Sequence, residues 1–131
     1  MNVLAVGIGG FIGAILRYLV GEWIPSTNGF PFGTWTVNLI GCLILSWFFT
    51  ITSKRWSINP NLKLAIGTGL IGSFTTFSTF SVETINLIQN SQFMIALLYI
   101  LLSVIGGIGL AFTGARLASF QPNRKREEGA E

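Results

Sequence analysis

Four apolar stretches, each near the length that crosses a bilayer, constrain this chain more than any other feature. They cover residues 3–21, 35–52, 62–88 and 93–116. A membrane helix needs about 20 mostly apolar residues. Turn chemistry separates them: Pro25, Asn28-Gly29 and Pro31, then Asn59-Pro60-Asn61, then Gln89-Asn90-Ser91-Gln92. The first stretch lacks a basic leading region and has three more behind it, which reads as a retained helix and not a signal peptide. The sequence therefore predicts an all-α membrane protein: one domain over residues 1–131, four transmembrane helices, and a polar C-terminal tail from 117 to 131.

The scarcity of charge agrees. Eight Lys and Arg and five acidic residues make up 10 % of 131 residues, against about 25 % in soluble domains. Histidine is absent and all five acids are glutamates. No Ser-His-Asp triad or histidine metal site is available, and no enzyme is expected. One cysteine, Cys42, rules out an intrachain disulfide and a cysteine zinc site. With four spans, Lys54, Arg55, Lys63, Arg116, Arg124, Lys125 and Arg126 share one side, and Arg17 stands alone on the other. The positive-inside rule then predicts a plasma-membrane protein with both termini in the cytoplasm. The basic tail suits orientation and lipid contact. Nucleic-acid binding is not expected, because the cluster is short and Glu127, Glu128 and Glu131 follow it.

Polar groups at membrane depth are costly and mark function. The third stretch is long and carries Gly67, Gly69 and Gly72, followed by Ser73, Thr75, Thr76, Ser78, Thr79 and Ser81. β-Branched threonines beside glycine weaken a helix, which predicts a break near Gly72 to Thr76. A break frees carbonyls that need partners, and a bound cation is one such partner. The competing reading is that the hydroxyls bond back onto their own helix. Phe77 and Phe80 lie three apart on one face. They fit simple packing, but Ser78 and Thr79 lie between them, and an aromatic ring has a positive edge that can face a small anion. Asn38 offers two donors and an acceptor, either between helices or to an ion path. Tyr99 and Ser103 lie four apart on the fourth helix, and Gly107 continues their face. Arg17 either snorkels to the interface near Tyr18 and Glu22 or raises the potential at a pore mouth. Glu83 is either a helix-end carboxylate facing water or a proton or cation site. Gly9 and Gly13 form a GxxxG pair suited to close helix packing. The surrounding glycines do not match a dinucleotide loop. Four helices enclose little space, so a pathway is expected to need a dimer.

The chain resembles the Fluc/CrcB family of fluoride channels over essentially its whole length. The resemblance is carried by Gly9-Gly10-Phe11-Ile12-Gly13-Ala14 with Arg17-Tyr18, by Gly33-Thr34 with Val37-Asn38 and Gly41, and above all by Thr75-Thr76-Phe77-Ser78-Thr79-Phe80 with Glu83. It implies an antiparallel dimer with two pores that export fluoride passively and protect the cell from it. It implies that Phe77 and Phe80 turn ring edges to fluoride, that Asn38, Ser78, Thr79, Tyr99 and Ser103 line the pore, and that Arg17 matches the first-helix arginine. It also implies a structural sodium ion, Na+, at the dimer centre, held by backbone carbonyls of Gly72 and Thr75. Two departures stand out: Ser73 where a second glycine is common, and Gly107 where some members carry a further serine. The basic bias between the two sides suggests a fixed orientation and pairing with an oppositely oriented paralogue, with a homodimer as the alternative. Other functions compete with this one: a small proton-coupled cation exporter using Glu83, and a membrane scaffold in which the hydroxyl and phenylalanine cluster only packs.

Overall fold

The computed structural model describes residues 2–54 and 56–120, and these are helical apart from short connections. Helix α1 (Asn2–Trp23) stops just before Pro25, as the restriction on the residue preceding a proline requires. The loop after it closes on a two-residue turn. Asn28 and Gly29 both take positive φ (54° and 88°), and Thr27 and Phe30 exchange backbone hydrogen bonds of 3.2 and 3.0 Å across them. Asn-Gly is the pair that adopts this turn with least strain. Helix α2 (Phe32–Lys54) follows. Asn38 therefore sits nearly two turns into α2.

The third span is not one helix. Asn59 caps α3 (Pro60–Leu64) by accepting from the Asn61 N–H, with Pro60 in the first turn, where its missing N–H costs nothing. A π-helical segment continues over Ala65–Ile71, then α4 (Gly72–Phe74). At Thr75 and Thr76 the backbone becomes extended (φ −80°, ψ 158° and φ −149°, ψ 125°), and α5 (Phe77–Gln89) restarts beyond. The interruption lies inside the expected Gly72–Thr76 window; the π-helical segment is an addition. Alone, α5 is about 20 Å long at 1.5 Å per residue, too short for a hydrocarbon core of about 30 Å. Helices α1, α2 and α6 (Phe93–Ser119) are each long and apolar enough to cross a membrane.

Glycines set the approach between elements. A Cβ on Gly9 would overlap the Ala65 carbonyl oxygen, and one on Gly13 the Leu70 carbonyl oxygen. The GxxxG face of α1 therefore lies directly on the π-helical segment of its own chain, gaining close backbone contact where apolar side chains gain little. Helix α6 packs on α2 in the same way: a Cβ on Gly114 would strike the Leu43 carbonyl, and the Ser46 hydroxyl donates to the Ala111 carbonyl. Val37, Ile51 and Tyr99 are wholly buried, whereas Phe11, Trp23, Phe77, Ile105 and Ile108 are largely exposed. An apolar exterior of this kind belongs against lipid or another apolar surface. Arg55 and the tail beyond Phe120, including Arg124, Lys125 and Arg126, lie outside the described residues.

Candidate functional site: the break in the third span

The break is held from outside by Asn38. Its amide Nδ2 donates to the Thr76 carbonyl at 2.9 Å, and its Oδ1 accepts from the Thr76 N–H at 2.8 Å. One side chain on α2 thus satisfies both backbone groups of the residue that leaves the helix, in a setting without water to do so. Thr76 then caps α5. Its Oγ1 accepts from the Thr79 N–H at 3.2 Å and donates to Thr79 Oγ1 at 3.1 Å, with Ser78 Oγ at 3.3 Å.

This arrangement deprives two carbonyls of their helical donors. A continuous helix would aim the Thr76 N–H at the Gly72 carbonyl and the Thr79 N–H at the Thr75 carbonyl. Those N–H groups go to Asn38 and to the Thr76 hydroxyl instead. Among the described residues, the Gly72 oxygen accepts from the Thr75 hydroxyl at 3.2 Å. Freed carbonyls are hard oxygen donors of the type that a small cation takes.

Not every hydroxyl in the run faces outward. Thr75 donates to the Ile71 carbonyl, and Ser81 to that of Phe77, so the back-bonding reading holds for these two. Ser78 and Thr79 remain exposed around the cap.

Below the break, the aromatic groups meet. The rings of Phe77 and Phe80 are 5.8 Å apart, and Phe80 lies 4.9 Å from Tyr99. Phe77 is 80 % exposed. A cavity of about 330 Å³ brings together Asn38 and Cys42 from α2, Thr75 and Thr76 at the break, Phe77 and Phe80 from α5, and Ser103 from α6. Its lining carries no charged side chain. The Ser103 hydroxyl oxygen is buried and has no hydrogen-bond partner among the described residues.

On the other side of Thr76 and Thr79, a cavity of about 160 Å³ is bordered by Arg17, Tyr18 and Glu22 from α1 and by Thr34 from α2. Arg17 thus borders the same cavity as Thr76 and Thr79. Glu83 is not a free helix-end carboxylate: Thr34 Oγ1 donates to one oxygen at 2.8 Å and the Tyr99 hydroxyl to the other at 2.7 Å. Thr34 carries no role in the sequence reading. Its spacing of four from Asn38 is the one signal that it shares that face.

Of the residues singled out from sequence, Asn38, Phe77, Phe80 and Ser103 meet around one cavity, with Tyr99 against Phe80; Thr79 and Arg17 share the other. Ser78 joins the cap between them, and Gly72 and Thr75 supply the freed carbonyls.

Comparison with known proteins bears on this geometry. The CrcB-like family (Camphor Resistance, CrcB) matches residues 4–115. A protein of Oceanobacillus iheyensis named fluoride-specific ion channel FluC is 54 % identical over 119 residues, covering 91 % of this chain and 92 % of its own. One of Moorella thermoacetica, fluoride-specific ion channel FluC 1, is 41 % identical over 140 residues and covers both chains fully. A FluC 1 of Bacillus cereus is 43 % identical over 128 residues, 96 % of this chain and 93 % of its own.

Proposed function

This chain belongs to the CrcB family, and from that premise we propose that it is a fluoride-selective channel that lets cytoplasmic fluoride leave passively and so protects the cell. The observation that carries the reading is the cavity at the break. It brings Phe77 and Phe80 together with Asn38 and Ser103 and has no charged lining. Fluoride holds its water tightly, so donors must replace that water on entry and yet release the ion on exit. Ring edges and neutral hydroxyls meet both demands better than a fixed cation would. Hydrogen fluoride that enters from an acidic medium ionises in the cytoplasm, and the membrane potential then drives the anion out along such a path.

Anion efflux from liposomes holding the purified protein tests this. Fluoride is expected to leave rapidly and chloride at the rate of empty vesicles. Proton-driven cation uptake without fluoride release would establish the exporter instead. That alternative needs Glu83 to exchange protons, and both its oxygens already accept hydrogen bonds.

The pore is completed by a second, antiparallel protomer. The outward-facing Phe77 and the apolar exterior support this: a single protomer offers one wall of a pathway. Freed carbonyls at Gly72 and Thr75 fit a structural Na+ shared between protomers at the dimer centre, where it would supply the positive charge those oxygens lack. The uneven distribution of Lys and Arg supports termini in the cytoplasm and an oppositely oriented paralogue as partner. An accessibility tag on the C-terminus reads the orientation: labelling from the cytoplasmic face alone is expected. Equal labelling from both faces would replace the paralogue by a second copy of this chain.

A further inference from the structure

We propose that fluoride passes between the path and open water through an amide-lined mouth, with Asn86 and Asn90 as its donors. The inference rests on the channel reading above and adds two residues to it. The mouth is a cavity of about 210 Å³ at the end of the bundle where α1 and α5 finish and α2 and α6 begin. Ser26 and Gly29 border it from the turn between α1 and α2, and Glu83, Asn86, Asn90 and Gln92 from the corner between α5 and α6. Turn and corner touch: a Cβ built on Gly29 comes within 2.9 Å of Gln92 Nε2. Glu83, Asn86 and Asn90 stand at i, i+3 and i+7, so one face of α5 and its C-cap presents them in a row. Glu83 is the one charged side chain on this lining.

Glu83 joins this cavity to the two at the break. Its donor Tyr99 packs on Phe80, which borders the larger of them, and its donor Thr34 borders the smaller with Arg17, Thr76 and Thr79. An ion moving past Phe80 and Tyr99 therefore meets Glu83 next. Both hydroxyl protons there are already turned to the carboxylate, and the carboxylate itself offers acceptors. Fluoride needs donors beyond it, and the side chains of Asn86 and Asn90 border the space where they are needed. Both residues are exposed, and their side-chain amides make no hydrogen bond among the described residues. Each amide carries two N–H groups and no charge. It can replace part of the water around fluoride and still release the ion, which a fixed cation beside the path would do less readily.

Charge placed at the mouth tests this, because an ion path responds to its sign. In fluoride efflux from proteoliposomes at low ionic strength, Asn86→Asp and Asn90→Asp are each expected to slow the ion about threefold. Asn86→Lys and Asn90→Lys are each expected to run about fivefold or more above their aspartate counterparts. The gap between the two charges should close in about 1 M of an inert salt, where the screening length falls to about 3 Å. The uncharged double variant Asn86→Leu/Asn90→Leu loses the donors alone, and about tenfold slower efflux is expected at any salt. Gln89 is exposed on the same helix but does not border the cavity. Gln89→Asp and Gln89→Lys are therefore expected to stay within about twofold of the parent. Because all three positions are exposed, every variant should melt like the parent in detergent. Equal rates for aspartate and lysine at 86 and 90 would overturn the proposal. So would a sign effect at Gln89 as large as theirs, which would reduce the mouth to general surface potential. If the parent conducts and all these variants match it, the channel reading stands and the mouth alone falls. If the parent passes no fluoride, the channel reading itself fails.

Discussion

Replacing Phe80 with isoleucine is expected to slow fluoride efflux by about tenfold or more while the protein stays folded. Phe80 borders the cavity at the break, 5.8 Å from the ring of Phe77 and 4.9 Å from that of Tyr99. What the ring offers an anion is the positive rim of its quadrupole, worth about 0.5–1.5 kcal/mol between aromatic pairs. With water excluded, the same rim acts on a full charge through a lower dielectric, so the upper end of that range applies. A barrier raised by 1.4 kcal/mol is a factor of about ten in rate. Isoleucine keeps an apolar group of moderate size, and such exchanges in a packed interior usually cost under about 1.5 kcal/mol. Flux should therefore fall far more than melting temperature does. Efflux within about twofold of the parent, measured at matched protein density, would remove the ring edge from the mechanism.

Asn38→Leu is expected to damage the fold itself. It strips both partners from Thr76, whose N–H and carbonyl then have no water to turn to. Each buried backbone group left unpaired costs about 1–3 kcal/mol, so the pair costs about 2–6 kcal/mol. A large fall in melting temperature in detergent is the expected result. Asn38→Asp separates hydrogen bonding from size. It keeps an acceptor for the Thr76 N–H but sets a carboxylate oxygen against the Thr76 carbonyl, where the amide had donated. It should therefore melt well below the parent despite its near-identical shape. A parent-like melting temperature in both variants would show that the break does not depend on this clamp. The same melts, on protein prepared with sodium replaced by a large organic cation, test the ion: indifference to the exchange would leave the Gly72 and Thr75 carbonyls without their proposed occupant.

The break was legible because its causes are local. Glycine and β-branched residues side by side weaken a helix wherever they stand. Thr76 is a good cap for the helix that resumes, and the observed interruption at Thr75 and Thr76 follows. The Asn-Gly turn at 28–29 and the capping by Asn59 ahead of Pro60 are local in the same sense. The π-helical segment over Ala65–Ile71 was not legible. There the Gly72 N–H reaches back to the Gly67 and Gly69 carbonyls, and the segment lies against the backbone of α1 at Gly9 and Gly13. The glycines announced close packing, but not which surface they would meet. Glu83 shows the same limit. Its neighbours in sequence suggest a water-facing helix end, yet its hydrogen-bond donors are Thr34 and Tyr99, 49 and 16 residues away.

Hydropathy and the near-absence of charge settled by themselves that this is a helical membrane protein. Glycine and hydroxyl placement settled that its third span is interrupted. These properties depend on each residue's own solvation and backbone preference, which the chain carries without reference to its fold. The tertiary structure alone decided which partners meet at the interruption. It set Asn38 on Thr76, freed the Gly72 and Thr75 carbonyls, and closed Glu83 between Thr34 and Tyr99. In a membrane interior without water, a polar group is defined by the partner it reaches. Here those partners lie on other helices, where only packing could place them.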